Sequence, residues 1–208
     1  LCGEKAYTYA QLSALIEKGR ADLIKADVRE SMPVLLRAAS DIDFIAKYFA
    51  VQSIHATAVP IDAAIPMLRY ELITQQFEHG YFSDIHGQMA CYGRPAPYSP
   101  LQGICDLMFT TGTTGAPKGV MLSSRAVSYS TARINRWIGN QAGDVEVVTV
   151  PLSHSFGLGR LRCILSQGGT AVLVPGLSHL RLLFSAFQKH TVSGCLLYTS
   201  PSPRDNTT

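Results

Sequence analysis

Apolar positions recur at helical spacing in the first part of the chain. In residues 9–27 they lie three, four or seven residues apart, which predicts a helix with one buried face (Leu12, Leu15, Ile16, Leu23 and Ile24). The uninterrupted apolar run PVLLRAA in residues 33–39 predicts a buried strand. Asp41 predicts the N-cap of a second helix, whose buried stripe consists of Ile42, Ile45 and Phe49.

The alternation of apolar runs and amphipathic segments continues to about residue 190. Residues 56–61 predict a second strand, and Pro66 suits the first turn of a third helix that extends to about residue 77. After a proline-rich loop in residues 94–100, we predict strands in residues 106–111, 145–152 and 170–174, and helices in residues 124–137, 158–166 and 178–190, the last capped by Ser178. Strands that alternate with helices pair in parallel, so the predicted fold class is α/β, with a mainly parallel sheet flanked by helices.

The periodic pattern ends at Cys195. The final residues, CLLYTSPSPRDNTT, contain a few apolar positions and then a polar, proline-containing stretch without any period. We interpret residues 195–208 as a non-native tail that resembles translated non-coding sequence, with a disordered C-terminus as the alternative. The predicted domain is therefore residues 1–194.

Composition narrows the class of protein. Hydrophobic residues make up 47% of the 208 residues and charged residues 16%, which is enough to build a core. The net charge of +3 is small and the basic residues are scattered, so nothing indicates a nucleic-acid partner. No apolar run is long enough to cross a bilayer, and the five cysteines are odd in number and never spaced as CxxC. These features favour a cytoplasmic protein with reduced thiols and no transmembrane segment.

The strongest chemical signal is the decapeptide TTGTTGAPKG in residues 110–119. Its glycines allow positive φ angles and a close approach to a ligand, and successive backbone N–H groups in such a turn form an anion-binding concavity. Threonine hydroxyls add donors, and a lysine adds a full positive charge. These properties suit a polyphosphate, and the candidate binding residues are Thr110, Thr111, Gly112, Thr113, Thr114, Gly115 and Lys118.

The spacing of this loop excludes two common nucleotide motifs. It does not fit the pattern GxxxxGK followed by serine or threonine, because Lys118 precedes Gly119. It does not fit GxGxxG either, because Gly112 is followed by two threonines and then Gly115. The alternative is a flexible glycine-rich surface loop that binds nothing.

The decapeptide resembles the phosphate-binding signature of the adenylate-forming superfamily, which includes acyl-CoA synthetases, aryl-CoA ligases, luciferases and the adenylation domains of peptide synthetases. Residues 7–12 resemble its opening TYxxL turn, residues 58–62 its xVPLxP strand end, and residues 71–72 its Glu-Leu pair. The segment PLSHSFG in residues 151–157 resembles the PLFHxxG segment of acyl- and aryl-CoA members. The resemblance extends over residues 7–194 and implies part of the large N-terminal domain of such an enzyme.

The resemblance implies a two-step reaction. A small-molecule carboxylic acid attacks the α-phosphate of ATP complexed with Mg2+. This attack displaces pyrophosphate and forms an acyl-adenylate. The thiol of coenzyme A, or of a phosphopantetheine carrier, then displaces AMP. The glycine-threonine loop and Lys118 would hold the β- and γ-phosphates. The reaction requires this because the negative charge of the leaving pyrophosphate has to be neutralised.

His154 is the second candidate catalytic residue beside Lys118. A lone histidine after a strand is usually an ordinary polar residue, but the resemblance implies that this imidazole lies near the acyl carboxylate and the adenylate phosphate. Amino-acid-activating relatives carry an aspartate here, and residues 153–156 contain no carboxylate, which favours an acid without an α-amino group. Phe156 is either a wall of the acid pocket or a core residue. No histidine pairs with other ligands at metal-site spacing, so no resident metal site is predicted.

Four arginines at helical spacings are predicted to be solvated, with a coenzyme A phosphate contact as the alternative (Arg133, Arg136, Arg160 and Arg162). The superfamily's magnesium-binding glutamate, ribose-binding aspartate and C-terminal lysine have no counterpart after Gly194. We therefore expect the C-terminal domain to be absent and this chain to have little turnover alone. Two rival functions stay open: a peptide-synthetase-like adenylation domain that loads a carrier, and a non-catalytic nucleotide-binding protein.

Overall fold

A computed structural model describes residues 5–77, 80–83, 89–92, 101–110 and 117–196. The helices in these ranges are α1 (Tyr9–Lys25), α2 (Ile42–Ser53), α3 (Met67–Thr74), α4 (Ser124–Ile138), α5 (Ser155–Ser166) and α6 (Leu180–Lys189). The strands are β1 (Pro33–Ala38), β2 (Thr57–Asp62), β3 (Gly80–Ser83), β4 (Met89–Tyr92), β5 (Ile104–Phe109), β6 (Gly119–Ser123), β7 (Val145–Val148), β8 (Thr170–Leu173) and β9 (Gly194–Leu196).

These strands form two sheets. The larger has the order β4-β3-β1-β2-β5-β6, and the smaller has the order β8-β7-β9. In the larger sheet β1 runs parallel to β2 and β3, and β2 runs parallel to β5, whereas the outer strands β4 and β6 are antiparallel. In the smaller sheet β7 runs parallel to both neighbours. The predicted α/β class with a mainly parallel sheet is confirmed.

The central strand β1 is buried on both faces. Val34 and Leu36 pack into one cluster with α1, α2 and α5, whereas Leu35 packs on the opposite face against Ile73 of α3. A strand covered on both sides is apolar at successive positions, which explains the uninterrupted run in the sequence. The first cluster also contains Val148 of β7, so one core joins the two sheets.

The first two helices begin as their sequences predict. Thr8 caps α1 in a capping box, in which its hydroxyl accepts from the backbone N–H of Gln11 and the Gln11 side chain accepts from the Thr8 N–H. The Asp41 carboxylate accepts from the N–H of Phe44 at 2.8 Å and caps α2, which confirms the predicted N-cap. Local side-chain chemistry thus determines where both helices start.

Other boundaries differ from the prediction. β7 ends at Val148 and α5 begins at Ser155, because Pro151 lacks an N–H for a strand ladder and its carbonyl accepts the N–H of His154 in a turn. His179, not Ser178, is the N-cap of α6, and Pro66 lies at the N-cap of α3, not in its first turn. On α1, Ile24 is 56% exposed, outside the buried face to which its spacing assigned it.

Four of the described strands, β3, β4, β6 and β9, lie where none was predicted. The phosphate loop does not lead directly into a helix: β6 intervenes and pairs antiparallel with β5, so the loop joins the two strands of a hairpin. Cys195 and Leu196, at the start of the predicted tail, extend β9 beside β7. Residues 197–208 lie outside the described ranges, and the tail stays a prediction. Among the described helices, none has the length and apolar character needed to span a membrane.

Candidate functional site

A cavity of about 210 Å³ opens at the carboxyl ends of β2 and β5. Its walls come from the end of β2, the residues that follow β5, one side of α3 and the turn before α5. Ligands of open α/β sheets bind at this edge, because the loops that leave parallel strands diverge there. Thr110, Pro117, Ser153 and His154 all line it.

The root of the predicted phosphate loop lies beside this cavity. The N–H of Thr110 donates to the carbonyl of Lys118 at 2.9 Å and continues the β5–β6 hairpin. Thr110 lines the cavity, whereas the Lys118 side chain is exposed and lies outside the lining. The remaining candidates, Thr111, Gly112, Thr113, Thr114 and Gly115, lie outside the described residues.

Gln76, a residue that no pattern in the sequence singled out, anchors this root. Its side-chain amide donates to the carbonyl of buried Pro117 at 2.8 Å and to the carbonyl of Leu72 at 3.2 Å. The end of α3 therefore holds the outgoing stem of the loop, while the hairpin hydrogen bonds hold both stems together. A polar side chain after an apolar helix was the available signal, and it is too common to identify such a contact.

His154 lies at the N-cap of α5, half-buried, and lines the cavity with Thr110. Its N–H donates to Pro151 and its carbonyl accepts from Leu158 at 3.0 Å, while its imidazole makes no capping hydrogen bond. The first turn of α5 leaves backbone N–H groups unpaired, and the helix dipole adds partial positive charge there. An imidazole and a helix N-terminus therefore meet at the edge of the cavity.

Ser153 is a further cavity residue that the sequence analysis did not single out. It is 8% exposed, and its Oγ has no hydrogen-bond partner among the described residues. Leaving a buried hydroxyl unsatisfied costs about 1–3 kcal/mol. A ligand in the cavity that bonds to this hydroxyl would recover part of that cost.

Gly157 lets the start of α5 approach the preceding segment. A Cβ at this position would lie 2.4 Å from the carbonyl oxygen of Pro151 and 2.7 Å from that of Val150. Any side chain would push the helix away and move His154 with it. The glycine of the PLSHSFG segment is therefore required for close packing.

A buried polar network connects β5 of the larger sheet to helices α2 and α5. Asp106 of β5 forms an ion pair with Arg162 of α5, and the Tyr48 hydroxyl of α2 donates to Asp106 at 3.0 Å. Gln52 donates to the same carboxylate oxygen at 2.9 Å. Burial raises the pKa of Tyr48, and the Asp106 charge raises it further. Desolvation opposes the charge on Arg162, but Tyr48 and Asp106 outweigh it and raise its pKa.

The prediction that Arg160 and Arg162 are solvated is wrong. The Arg160 side chain is 10% exposed and pairs with Glu146, and the Arg162 side chain is 12% exposed and pairs with Asp106. Both carboxylates stand on strands β7 and β5, far from their partners in sequence. Arg133 and Arg136 of α4 are exposed as predicted.

The described residues offer no ready-made metal centre. Nowhere in these ranges do three histidine, cysteine, aspartate or glutamate side chains gather closely enough to hold an ion. The free cysteines in the described part include Cys105 and Cys163, and both are buried. Burial raises the pKa of Cys105 to about 11, and the neighbouring Asp106 charge adds to the effect.

Known proteins with a similar sequence and a similar fold support the same class of enzyme. Residues 81–200 match the AMP-binding enzyme family, and the chain belongs to this family of adenylate-forming enzymes. It is 35% identical over 79 residues to long chain acyl-CoA synthetase 5 of Arabidopsis thaliana, covering 36% of this chain and 12% of that protein. It is 25% identical over 197 residues to the hybrid PKS-NRPS synthetase apdA of Emericella nidulans, covering 83% of this chain and 5% of that protein.

Among solved structures, the chain is similar to O-succinylbenzoate coenzyme A synthetase from Bacillus subtilis in complex with AMP. The TM-score is 0.75 at 20% identity, covering 92% of this chain and 55% of that chain. The N-terminal subdomain of Klebsiella oxytoca NpsA, in complex with 3-hydroxybenzoyl-AMSN, matches with a TM-score of 0.77 at 18% identity and covers 95% of this chain. This chain therefore spans about half the length of these structures and a smaller share of the curated relatives.

Proposed function

We propose that this chain supplies the phosphate-binding and acid-binding parts of an AMP-forming carboxylate–thiol ligase. The observation that supports this is one cavity at the carboxyl edge of the sheet, lined by both Thr110 at the root of the glycine-threonine loop and His154 at the start of α5. A phosphate-binding segment and a hydrogen-bonding imidazole at one cavity are what the attack of a carboxylate on a phosphate needs.

Each residue has a chemical task in this proposal. A carboxylate is a weak nucleophile toward a polyanion, so the site has to hold the two together and neutralise the leaving pyrophosphate. Thr110 to Gly115 and Lys118 bind the β- and γ-phosphates, with magnesium arriving bound to ATP. His154 and the N-terminus of α5 donate hydrogen bonds to the acid carboxylate and the α-phosphate.

The proposed acceptor is coenzyme A. The segment PLSHSFG favours an acyl- or aryl-CoA ligase, since residues 153–156 contain no carboxylate that could pair with an α-ammonium group. The similarity over 79 residues to a plant acyl-CoA synthetase supports the same assignment. The rival, a peptide-synthetase-like adenylation domain that loads a carrier, is supported by the similarity of 83% of this chain to a hybrid synthetase.

We also propose that these 208 residues have little turnover when separated from the rest of such an enzyme. They span 55% of the solved ligase chain to which they are similar. The groups that hold ribose and magnesium and orient the carboxylate would then lie in the remaining part. A non-catalytic nucleotide-binding protein is the alternative in which those groups do not exist at all.

The experiment is acid-dependent ATP–pyrophosphate exchange by the protein expressed from its complete reading frame, beside the 208-residue chain. We expect exchange from the former with acids that lack an α-amino group and none from the latter. His154→Ala should lower the exchange rate about 100-fold, while His179→Ala, an exposed histidine at the start of α6, should not.

Three other outcomes would each change the assignment. Exchange with amino acids alone would favour the carrier-loading domain. ATP binding without exchange, across acids from acetate to long-chain and aryl acids, would favour the non-catalytic protein. Exchange by the 208-residue chain itself would contradict its proposed dependence on further residues.

A further inference from the structure

Helix α6 carries a row of exposed apolar side chains. Leu180, Phe184 and Phe187 are spaced four and three residues apart, so they form one stripe along the helix, the α6 stripe. Phe184 is 62% exposed and Leu180 is 54% exposed. Leu177, in the turn before the helix, is exposed as well. Single exposed apolar residues are ordinary, but a continuous row of them marks a candidate contact surface.

Another side of α6 packs on the smaller sheet. Leu183 and Ala186 are buried and form a cluster with Val147 of β7 and Val172 of β8. The two buried positions lie three residues apart, which corresponds to one face of a helix. This face attaches α6 to the sheet, so the α6 stripe is not needed for packing within the described part of the chain.

The polar residues around the α6 stripe are basic or neutral. Arg181 and Lys189 are exposed, and His179 and His190 stand at the two ends of the helix. Residues 174–193 contain no aspartate or glutamate. Among the described residues, neither Arg181 nor Lys189 forms a salt bridge. The surface therefore has net positive charge beside its apolar side chains.

We propose that α6 is a peripheral membrane-binding surface whose partner is an anionic phospholipid bilayer. The three apolar side chains of the α6 stripe enter the boundary between the head groups and the acyl chains, and Arg181 extends to the lipid phosphates. Lys189 adds attraction to the negatively charged surface. The inference does not depend on the proposed ligase function, and it concerns a surface contact, not a transmembrane segment.

Charge disfavours a second copy of this chain as the partner. Two α6 helices that met about a two-fold axis would bring Arg181 and Lys189 of both copies to one interface. Residues 174–193 offer no carboxylate that could pair with these cations. Like charges placed together across an interface are unfavourable, whereas the phosphates of an anionic bilayer match them.

The size of the surface also favours a bilayer. A helix of 10 residues is about 15 Å long and about 10 Å wide, so it presents roughly 150 Å² to a partner. A stable protein interface buries about 800 Å² on each side. Insertion at a bilayer surface needs no partner of matching shape, because its strength comes from the buried apolar area together with the attraction of cations to anionic lipids.

The test is co-sedimentation of the protein from its complete reading frame with large unilamellar vesicles. One set of vesicles is phosphatidylcholine alone, and the other is an equimolar mixture of phosphatidylcholine and phosphatidylglycerol. We expect the partition coefficient for the anionic vesicles to be about 25-fold higher, because each of the two cations near such a surface contributes about fivefold. Added salt should reduce this difference. Equal binding to both sets, or binding to neither, overturns the inference.

Variants test whether the α6 stripe makes the contact. Phe184→Gln combined with Phe187→Gln removes two exposed rings, so the fold should persist and the partition coefficient should fall about 10-fold or more. Arg181→Gln should lower it about fivefold. Leu68→Gln, at an exposed leucine of α3, and Arg29→Gln, at an exposed arginine before β1, are the matched controls and should bind normally. Unchanged binding in the phenylalanine double variant overturns the assignment to α6.

Charge reversal decides the question if the phenylalanine double variant does not fold. Arg181→Glu changes the surface by two charge units, so binding to the anionic vesicles should fall about 25-fold while the unfolding midpoint in urea stays nearly unchanged. Unchanged binding would show that the lipid lies elsewhere. Two further results would each assign the α6 stripe to a protein partner and overturn the proposal. One is a dimer in sedimentation velocity that these variants abolish, and the other is retention by an acidic protein, in either case without vesicle binding.

Discussion

Asp106 on β5 and Arg162 on α5 form a buried ion pair between the larger sheet and the helix that connects β7 to β8. The Tyr48 hydroxyl lies between them, donating to Asp106 at 3.0 Å and accepting from Arg162 at 2.7 Å. Asp106 stands on the strand that leads into Thr110, and Arg162 stands on the helix that begins after His154. The pair therefore connects the two segments that meet at the cavity lined by Thr110 and His154.

Breaking this pair should destabilise the protein strongly. Arg162→Met leaves the Asp106 charge buried without its partner, and we expect the free energy of unfolding to fall by about 3–5 kcal/mol in urea denaturation. Adding Asp106→Leu to Arg162→Met removes that charge and should restore much of the lost free energy of unfolding. Arg29→Met, which breaks an exposed pair with Asp27, should cost at most about 1 kcal/mol. Similar losses for Arg162→Met and Arg29→Met would contradict this role.

The two glycines of α5 should respond oppositely to alanine. Gly157→Ala forces a methyl group against the carbonyl of Pro151, and we expect a loss of about 1–3 kcal/mol in thermal or urea unfolding. Gly159→Ala adds a methyl group in open space and removes a flexible residue from a helix, so it should stabilise by about 0.5–1 kcal/mol. Equal effects at both positions would mean that α5 does not pack on the preceding turn as described.

Lys118 should affect nucleotide use without affecting stability. Its side chain is exposed, so Lys118→Met should leave the unfolding midpoint nearly unchanged. If Lys118 binds the phosphates of ATP, the same change should lower kcat/KM for ATP in the exchange reaction roughly 10- to 100-fold. Lys189→Met, at the exposed end of α6, is the matched control. Normal ATP kinetics in Lys118→Met would remove this lysine from the proposed site.

The Cys105 thiol should make stability depend on alkaline pH. Its pKa is raised from 9.0 to about 11 by burial, so between these values the folded protein keeps a proton that the unfolded chain loses. The contribution of Cys105 to the free energy of unfolding is therefore fully present below pH 9 and is lost as the pH rises toward 11. Urea titrations at pH 8, 9, 10 and 11 should show this decline.

The matched variant for this pH dependence is Cys105→Ala. It should reduce the decline between pH 9 and 11 without abolishing it, because the pKa of Tyr48 is also raised. In the unmodified protein, Cys105 should also react slowly with a thiol reagent at pH 8.5. An unchanged pH profile in Cys105→Ala would contradict the assignment to this thiol.

Much of the fold could be predicted from the sequence, because local patterns report local physics. The capping side chain of Asp41 acts on a backbone group three residues away, and the run around Val34 is apolar because both faces of β1 are covered. The loop sequence at residues 110–119 also indicated phosphate chemistry by composition alone. None of these inferences needs knowledge of distant residues.

Part of the candidate site could also be predicted from the sequence. His154 and Thr110 were both selected from the sequence, but only the family resemblance, and no pattern within either segment, implied that they lie near one ligand. The hairpin partner β6 was missed because its apolar run, Val120 to Leu122, is only three residues long and follows the glycine of the loop directly. Ser153 and Gln76 were missed because serine and glutamine are common polar residues whose contacts depend on the surrounding backbone.

The sequence by itself determined which segments are buried, where several helices start and which loop has phosphate-binding chemistry. The tertiary structure alone decided which charges are paired: Arg160 with Glu146 and Arg162 with Asp106, where helical spacing had indicated solvated arginines. The physical reason is that periodicity records the average environment of a helix face. A buried ion pair is instead set by the one residue that the fold brings opposite, which lies 14 or 56 positions away along the chain.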